Sequence, residues 1–121
     1  MESVLICCDK SPFGTNVTAE ALRLASGLLG LGPTISCQVV FDEDSIYFLM
    51  KNSSTEALGV DSLDEPRELI DLVDATIYVV KEAMKTRGLS RSDLVDDIEI
   101  ELITIEQLAH MITQHSATIH M

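Results

Sequence analysis

The residues of this chain best able to do chemistry are its thiols. Cys7 and Cys8 close the apolar run Ser3–Cys8, and Cys37 is the third cysteine. The nucleophile is a thiolate, so a working cysteine needs a lowered pKa. Lys10 and the amino end of a following helix are what would lower that of Cys8. The plainer reading is that neighbouring strand residues point into opposite packed layers, where cysteine serves as a small hydrophobe. Cys8, and after it Cys7, are therefore the alternative thiols for persulfide or redox chemistry. His110, His115 and His120 are spaced by five, so the first two cannot form the i,i+4 pair of a helical metal site; solvated or interface positions suit them better. Asp42, Glu43 and Asp44 are three adjacent carboxylates that a helix amino end accommodates without a cation. No metal and no cofactor is expected. The sequence contains no G-x-S-x-G, Walker loop or G-x-G-x-x-G, the patterns that bring a nucleophile or a phosphate cradle.

The elements that must position these residues follow from patterning. Ser3–Cys8 reads as a central buried strand. The turn Ser11-Pro12-Phe13-Gly14-Thr15-Asn16 follows it. A helix comes next, with Ala19, Leu22, Ala25, Leu28 and Leu29 as its apolar stripe, and Gly30-Leu31-Gly32-Pro33 ends it. Residues 34–41 form the second strand, with Cys37 inside it. After the acidic trio come Ser45 and Ile46–Met50. Residues 51–63 are polar and read as one long loop, and Asp64-Glu65-Pro66 restarts a helix buried through Leu69, Ile70, Leu72 and Val73. Residues 75–80 are β-branched and apolar, a third strand. Glu82–Arg87 is about two turns of helix stopped by Gly88. Ser90 and Asp93 have capping-box spacing and predict a short helix through Leu94 and Val95. Ile98–Ile103 alternates strictly, as a strand buried on one face does. Thr104 and Gln107 make a further capping box for a helix with Ile105, Leu108, Ala109 and Ile112 at helical spacing, and Ala117–Met121 is a last short strand. The alternation calls for a single α/β domain over residues 1–121, a flavodoxin-like three-layer sandwich with a mostly parallel five-stranded sheet. In such sheets chemistry sits at the carboxyl ends of the strands, which makes Val80 and Lys81 a position of interest.

Composition narrows the partners. A formal net charge of −12 argues against direct binding of nucleic acid or an anionic membrane, because phosphate binding needs clustered Lys and Arg. The start Met1-Glu2-Ser3 has no basic n-region, and no stretch reaches the roughly 18 apolar residues of a membrane span. An odd number of cysteines, two of them adjacent, suits a reducing compartment. The expectation is a cytoplasmic protein. Nearly half the chain is hydrophobic, yet it has 121 residues and no Trp, so part of the apolar surface is expected in an oligomer.

Three stretches carry a resemblance. Residues 75–89 combine a strand with Arg87-Gly88-Leu89, Ser11-Pro12-Phe13-Gly14-Thr15 stands where related chains have A-P-(Y or H)-G-(S or T), and Asp44-Ser45-Ile46 stands where they have D-G-V. The chain resembles the DsrE/DsrF/TusC family of small sulfur-relay proteins over nearly its whole length. In its sulfur-carrying members, of the DsrE and TusD types, a cysteine closes the third strand and takes up sulfane sulfur as a persulfide. A gap-free match through Arg87-Gly88 puts Val80 there, and a one-residue shift puts Val79 there. The resemblance is therefore better with the DsrF/TusC branch, and it implies no catalytic residue in this chain. It implies an accessory subunit beside DsrE/TusD-like and DsrH/TusB-like partners, serving tRNA thiolation or sulfur oxidation. Ser11, Phe13, Gly14, Thr15, Asp44, Ser45, Val80 and Lys81 would line a pocket or interface beside a neighbour's cysteine. The alternative is a homotrimer or homohexamer of the YchN type, acting alone as a binding or carrier module. A flavodoxin-type cofactor domain is the enzymatic reading, which the glycine-poor Ser11–Thr15 loop and the lack of a stacking Trp disfavour.

Overall fold

A computed structural model describes residues 2–10, 17–30, 35–50, 77–95 and 99–121. Its strands are β1 (Glu2–Cys8), β2 (Ile35–Phe41), β3 (Ile77–Val80), β4 (Ile100–Ile103) and β5 (Ala117–His120). Its α-helices are α1 (Val17–Leu29), α2 (Lys81–Thr86) and α3 (Ile105–Gln114). Two 3₁₀ segments, Glu43–Leu49 and Arg91–Asp93, complete the described elements. The helix expected from Asp64, the polar loop before it and the Ser11–Thr15 turn lie outside the described residues.

The strands form one five-stranded sheet in the order β4-β3-β2-β1-β5. Every pairing is parallel, so the single α/β domain anticipated from the alternation is an all-parallel sheet. Residues in register share a face. Cys8, Phe41 and Val79 therefore lie on one side, and Leu5, Gln38, Val40, Tyr78 and Glu101 on the other. By the right-handed rule for parallel crossovers, α1 between β1 and β2 and α2 between β3 and β4 belong on the first side, and α3, on the return to β5, belongs on the second. His115, just past α3, confirms that placement by reaching Gln38 at 2.8 Å.

Among the described residues the core is mostly aliphatic, with the three cysteines, Met84, and Phe41 and Phe48, whose rings stack with centroids 5.9 Å apart. From α1, Ala21, Leu22 and Ala25 are buried in it. Gly88, at φ 68°, ends α2 in the left-handed conformation, with Leu89 N–H donating to the Met84 carbonyl (2.9 Å) and Gly88 N–H to that of Lys85 (3.1 Å). That is a Schellman closure, the stop expected from glycine here. The Thr104 hydroxyl accepts from Gln107 N–H while the Gln107 amide oxygen accepts from Thr104 N–H, as the capping box anticipates. The Glu82 carboxylate adds a second partner for α3 by accepting from Ile105 N–H at 3.1 Å.

Three local expectations are corrected. Leu94 and Val95 are not helical: the Ser90 capping box forms, but its segment stops at Asp93. Leu94 instead bridges Met50, and Val95 N–H donates to the Leu49 carbonyl at 2.8 Å. Lys81 belongs to α2, which begins one residue before the expected start and ends at Thr86. The apolar stripe of α3 is only partly used, since Leu108 and Met111 pack on the core while Ile105 and Ile112 remain 56% and 37% exposed.

Candidate functional site

The carboxyl ends of the strands gather Cys7 and Cys8 from β1, the segment after β2, Val80 from β3 with Lys81 opening α2, and Thr104 after β4. Val80 is fully buried, pairs with Ile103, and hands β3 directly to α2 as its N-cap without a side-chain hydrogen bond. Lys81, one residue on, is exposed. The strand end that the resemblance singles out is therefore packed with valine and offers no nucleophile of its own.

The segment after β2 is held from within. The Asp42 carboxylate accepts from Glu43 N–H at 2.8 Å and caps the 3₁₀ helix. Glu43 takes a positive φ of 49°, a conformation that costs a non-glycine residue about 1–3 kcal/mol and persists only where neighbours hold it. Ser45 is completely buried. Its hydroxyl lies 2.7 Å from the Cys8 carbonyl and 2.6 Å from that of Asp42, with one proton to serve both, and accepts from Asp42 N–H at 3.1 Å. A second β1–β2 tie runs from Asp42 N–H to the Cys8 carbonyl at 2.9 Å. The Ser45 hydroxyl thus pins the end of β1 to the start of the 3₁₀ helix.

Asp44 and Glu43 point to Arg87. The guanidinium donates to Asp44 Oδ1 through Nε (3.0 Å) and Nη2 (2.8 Å), and to Glu43 Oε2 through Nη2 (3.0 Å). It also donates to the Ala83 carbonyl at 3.1 Å. The acidic trio is therefore answered by an arginine from the end of α2 as well as by a helix amino end. Among the described residues no three His, Cys, Asp or Glu side chains stand together as a metal site.

The cysteines are buried and free. Burial, then the nearby Asp42 and Asp9 carboxylates, push the Cys7 thiol up to about 11. Burial, then Cys7 and Asp9, push that of Cys8 up to about 12, and burial alone takes Cys37 to about 11. Lys10, the expected source of depression, stands 3.7 Å from Asp9 and is largely solvated. Roughly one thiol in ten thousand or fewer is ionised at pH 7. Because the folded thiols hold protons that an unfolded thiol loses near pH 9, their contribution to stability is intact below that pH and is lost as pH rises toward 11–12. Alkylation of the native protein by iodoacetamide is accordingly expected to rise about tenfold per pH unit from pH 7 to 10 without levelling off. A plateau near pH 8, seen by mass spectrometry at any of the three sites, would contradict this.

Two features escaped sequence reasoning because they join distant residues. Gln38 Nε2 donates to the Tyr78 hydroxyl at 3.1 Å, and Gln38 Oε1 lies 2.8 Å from His115 Nε2, whose Nδ1 is 2.7 Å from the Met111 carbonyl. His115 is thus a half-buried member of a network rather than a solvated side chain. A groove between α3 and the β3–β4 edge lies beside it. The only local signal was polar Gln38 and Tyr78 inside otherwise apolar strands. Ser11, Phe13, Gly14 and Thr15, expected beside this edge, are outside the described residues.

A profile of the DsrE/DsrF-like family matches residues 2–121. The intracellular sulfur oxidation protein DsrF of Allochromatium vinosum is 29% identical over 104 residues, covering 85% of this chain and 75% of that protein. The crystal structure of the ychN protein from E. coli superposes with a TM-score of 0.82 at 18% identity, over 100% of both chains. A protein of unknown function from Methanobacterium thermoautotrophicum gives a TM-score of 0.73 at 11% identity, also over 100% of both chains. The two solved structures speak to the fold alone.

Proposed function

The chain belongs to the DsrE/DsrF-like family, and from that premise we propose that it is an accessory subunit of a sulfur-relay complex, one that does not itself take up the persulfide. The observation that carries this reading is Val80. It occupies the strand end where carrier members of the family have cysteine, and it is fully buried at the start of α2. The cysteines present elsewhere do not replace it, being buried and held as neutral thiols. In the proposed assembly a DsrE/TusD-like neighbour supplies the carrier cysteine and a DsrH/TusB-like chain completes the complex. The similarity to a protein named for sulfur oxidation favours that pathway over tRNA thiolation. The net charge of −12 leaves any contact with tRNA to a partner. Free cysteines fit a reducing cytoplasm.

The exposed Ile105 and Ile112 favour a second reading, a homotrimer or homohexamer acting alone. Replacing Cys7, Cys8 and Cys37 together by serine separates the two if the stand-alone form carries sulfur. In the accessory role, sulfur transfer by the reconstituted complex stays within about twofold of wild type, and a collapse of transfer in a folded, assembled variant overturns it.

A further inference from the structure

The groove between α3 and the β3–β4 edge has a volume of about 800 Å³ and is lined by Tyr78, Glu101, Leu102, Glu106, His110 and Met111 among others. That volume is in the range of ligand sites, and the lining has their character, an apolar floor with a few convergent polar groups. We propose that it receives an arginine side chain presented by a partner polypeptide, an inference independent of the sulfur-relay reading.

The groove's electrostatics ask for a cation. Among the described residues no Lys or Arg pairs with Glu101 or Glu106, in a chain with 20 acidic and 8 basic residues. Exposed carboxylates elsewhere in the same fold have taken such a partner: Glu43 and Asp44 share the Arg87 guanidinium. Glu101 and Glu106 line the groove without such a cation, and Glu101 accepts from the Tyr78 hydroxyl. Its wall is also set in place, because Gln38 holds the Tyr78 hydroxyl and His115 holds Gln38. A half-buried phenol ring held beside the Glu101 carboxylate suits a planar guanidinium, which stacks on aromatic faces, is weakly hydrated and bonds two oxygens at once. Its alkyl stem would lie along Ile103 and Met111, which line the groove on the Tyr78 face of the sheet.

That the guanidinium comes on a polypeptide follows from the rest of α3. Ala109 lines the groove and shares a helix face with Ile105 and Ile112, four and three residues away, and those two side chains are exposed. An apolar stripe leading into an acidic groove fits a basic residue flanked by apolar ones, and gives a free polyamine nothing further to cover.

The test is a ¹⁵N–¹H titration of the full chain with N-acetyl-arginine amide, its uncharged isostere N-acetyl-citrulline amide, spermidine, and an Ac-Leu-Arg-Leu amide peptide. The expected result is a shift of the amides of residues 101–113, with affinity in the order tripeptide, arginine amide, spermidine, and no saturable citrulline binding. Glu101→Gln with Glu106→Gln weakens the tripeptide roughly tenfold, as the loss of two exposed charge pairs implies. Glu20→Gln, an exposed carboxylate on α1 outside the lining, changes it by less than about twofold. If the double variant loses spectral dispersion, Glu106→Gln alone, exposed on the helix, carries the same comparison at roughly threefold. Equal binding of citrulline, equal loss in Glu20→Gln, or shifts confined to other residues overturns the proposal. Spermidine binding more tightly than the tripeptide also overturns it, in favour of a free polyamine.

Discussion

Phe41→Ala is expected to lower the stability of the fold by about 3–5 kcal/mol. The ring is fully buried and stacks on Phe48, which is fully buried too. Removing it deletes apolar contact and leaves a cavity whose far wall is another rigid ring, so collapse cannot recover the loss. A domain of this kind has roughly 5–15 kcal/mol in all, so the variant stands near unfolding. The loss reaches the site as well. Phe41 pairs with Cys8 in the sheet, and Phe48 sits in the 3₁₀ helix whose Ser45 ties down the Cys8 carbonyl. Urea unfolding should show a lower midpoint at unchanged slope, and Phe41→Leu should recover more than half of the loss. A loss below about 1.5 kcal/mol would mean that the two rings are not the keystone of this edge.

The second large effect is electrostatic. Arg87→Met is expected to cost about 2–3 kcal/mol, from lost charge-assisted hydrogen bonds to Asp44 and Glu43 and from three adjacent carboxylates left without their cation. The upper limits for buried ion pairs do not apply, since the Asp44 and Glu43 side chains are 54% and 61% exposed. The arginine is the enclosed partner, with a side chain only 14% exposed. Met keeps its apolar stem packed, so the change isolates the guanidinium. Arg87→Lys should recover less than half, because an ammonium cannot span Asp44, Glu43 and the Ala83 carbonyl together. A full rescue by lysine, measured by the same unfolding experiment, would show that charge alone matters at this corner.

These two corners show what local sequence can and cannot carry. Strand identity was legible because β-branched runs such as Ile77–Val80 and the apolar close of β1 have few other solutions. The Gly88 stop and the Thr104 capping box were legible because each is decided within a few residues. Where the outcome depends on a distant partner, pattern falls silent. Leu94 followed a genuine capping box and still left the helical path, because Met50, 44 positions away, offers it a bridge. Arg87 read as the last residue of a short helix, and its partners lie 43 and 44 positions back. The Ser45 hydroxyl and the Gln38–His115 contact are equally non-local. Periodicity marked the apolar face of α3 but could not say that Ile105 and Ile112 would stay exposed. The absence of a cysteine at Val80 needed no structure. What the fold adds is that Cys7, Cys8 and Cys37 are too enclosed to be ready nucleophiles.

The claim that this chain does not carry the sulfur is tested most directly by its intact mass. The folded protein is incubated with a persulfide donor, and its mass is read before and after reductant. The account predicts no reducible gain, with the relay then depending on a cysteine-bearing partner. A reducible gain of one sulfur atom, mapped to Cys8 or to either other cysteine, would contradict it and make this chain a carrier.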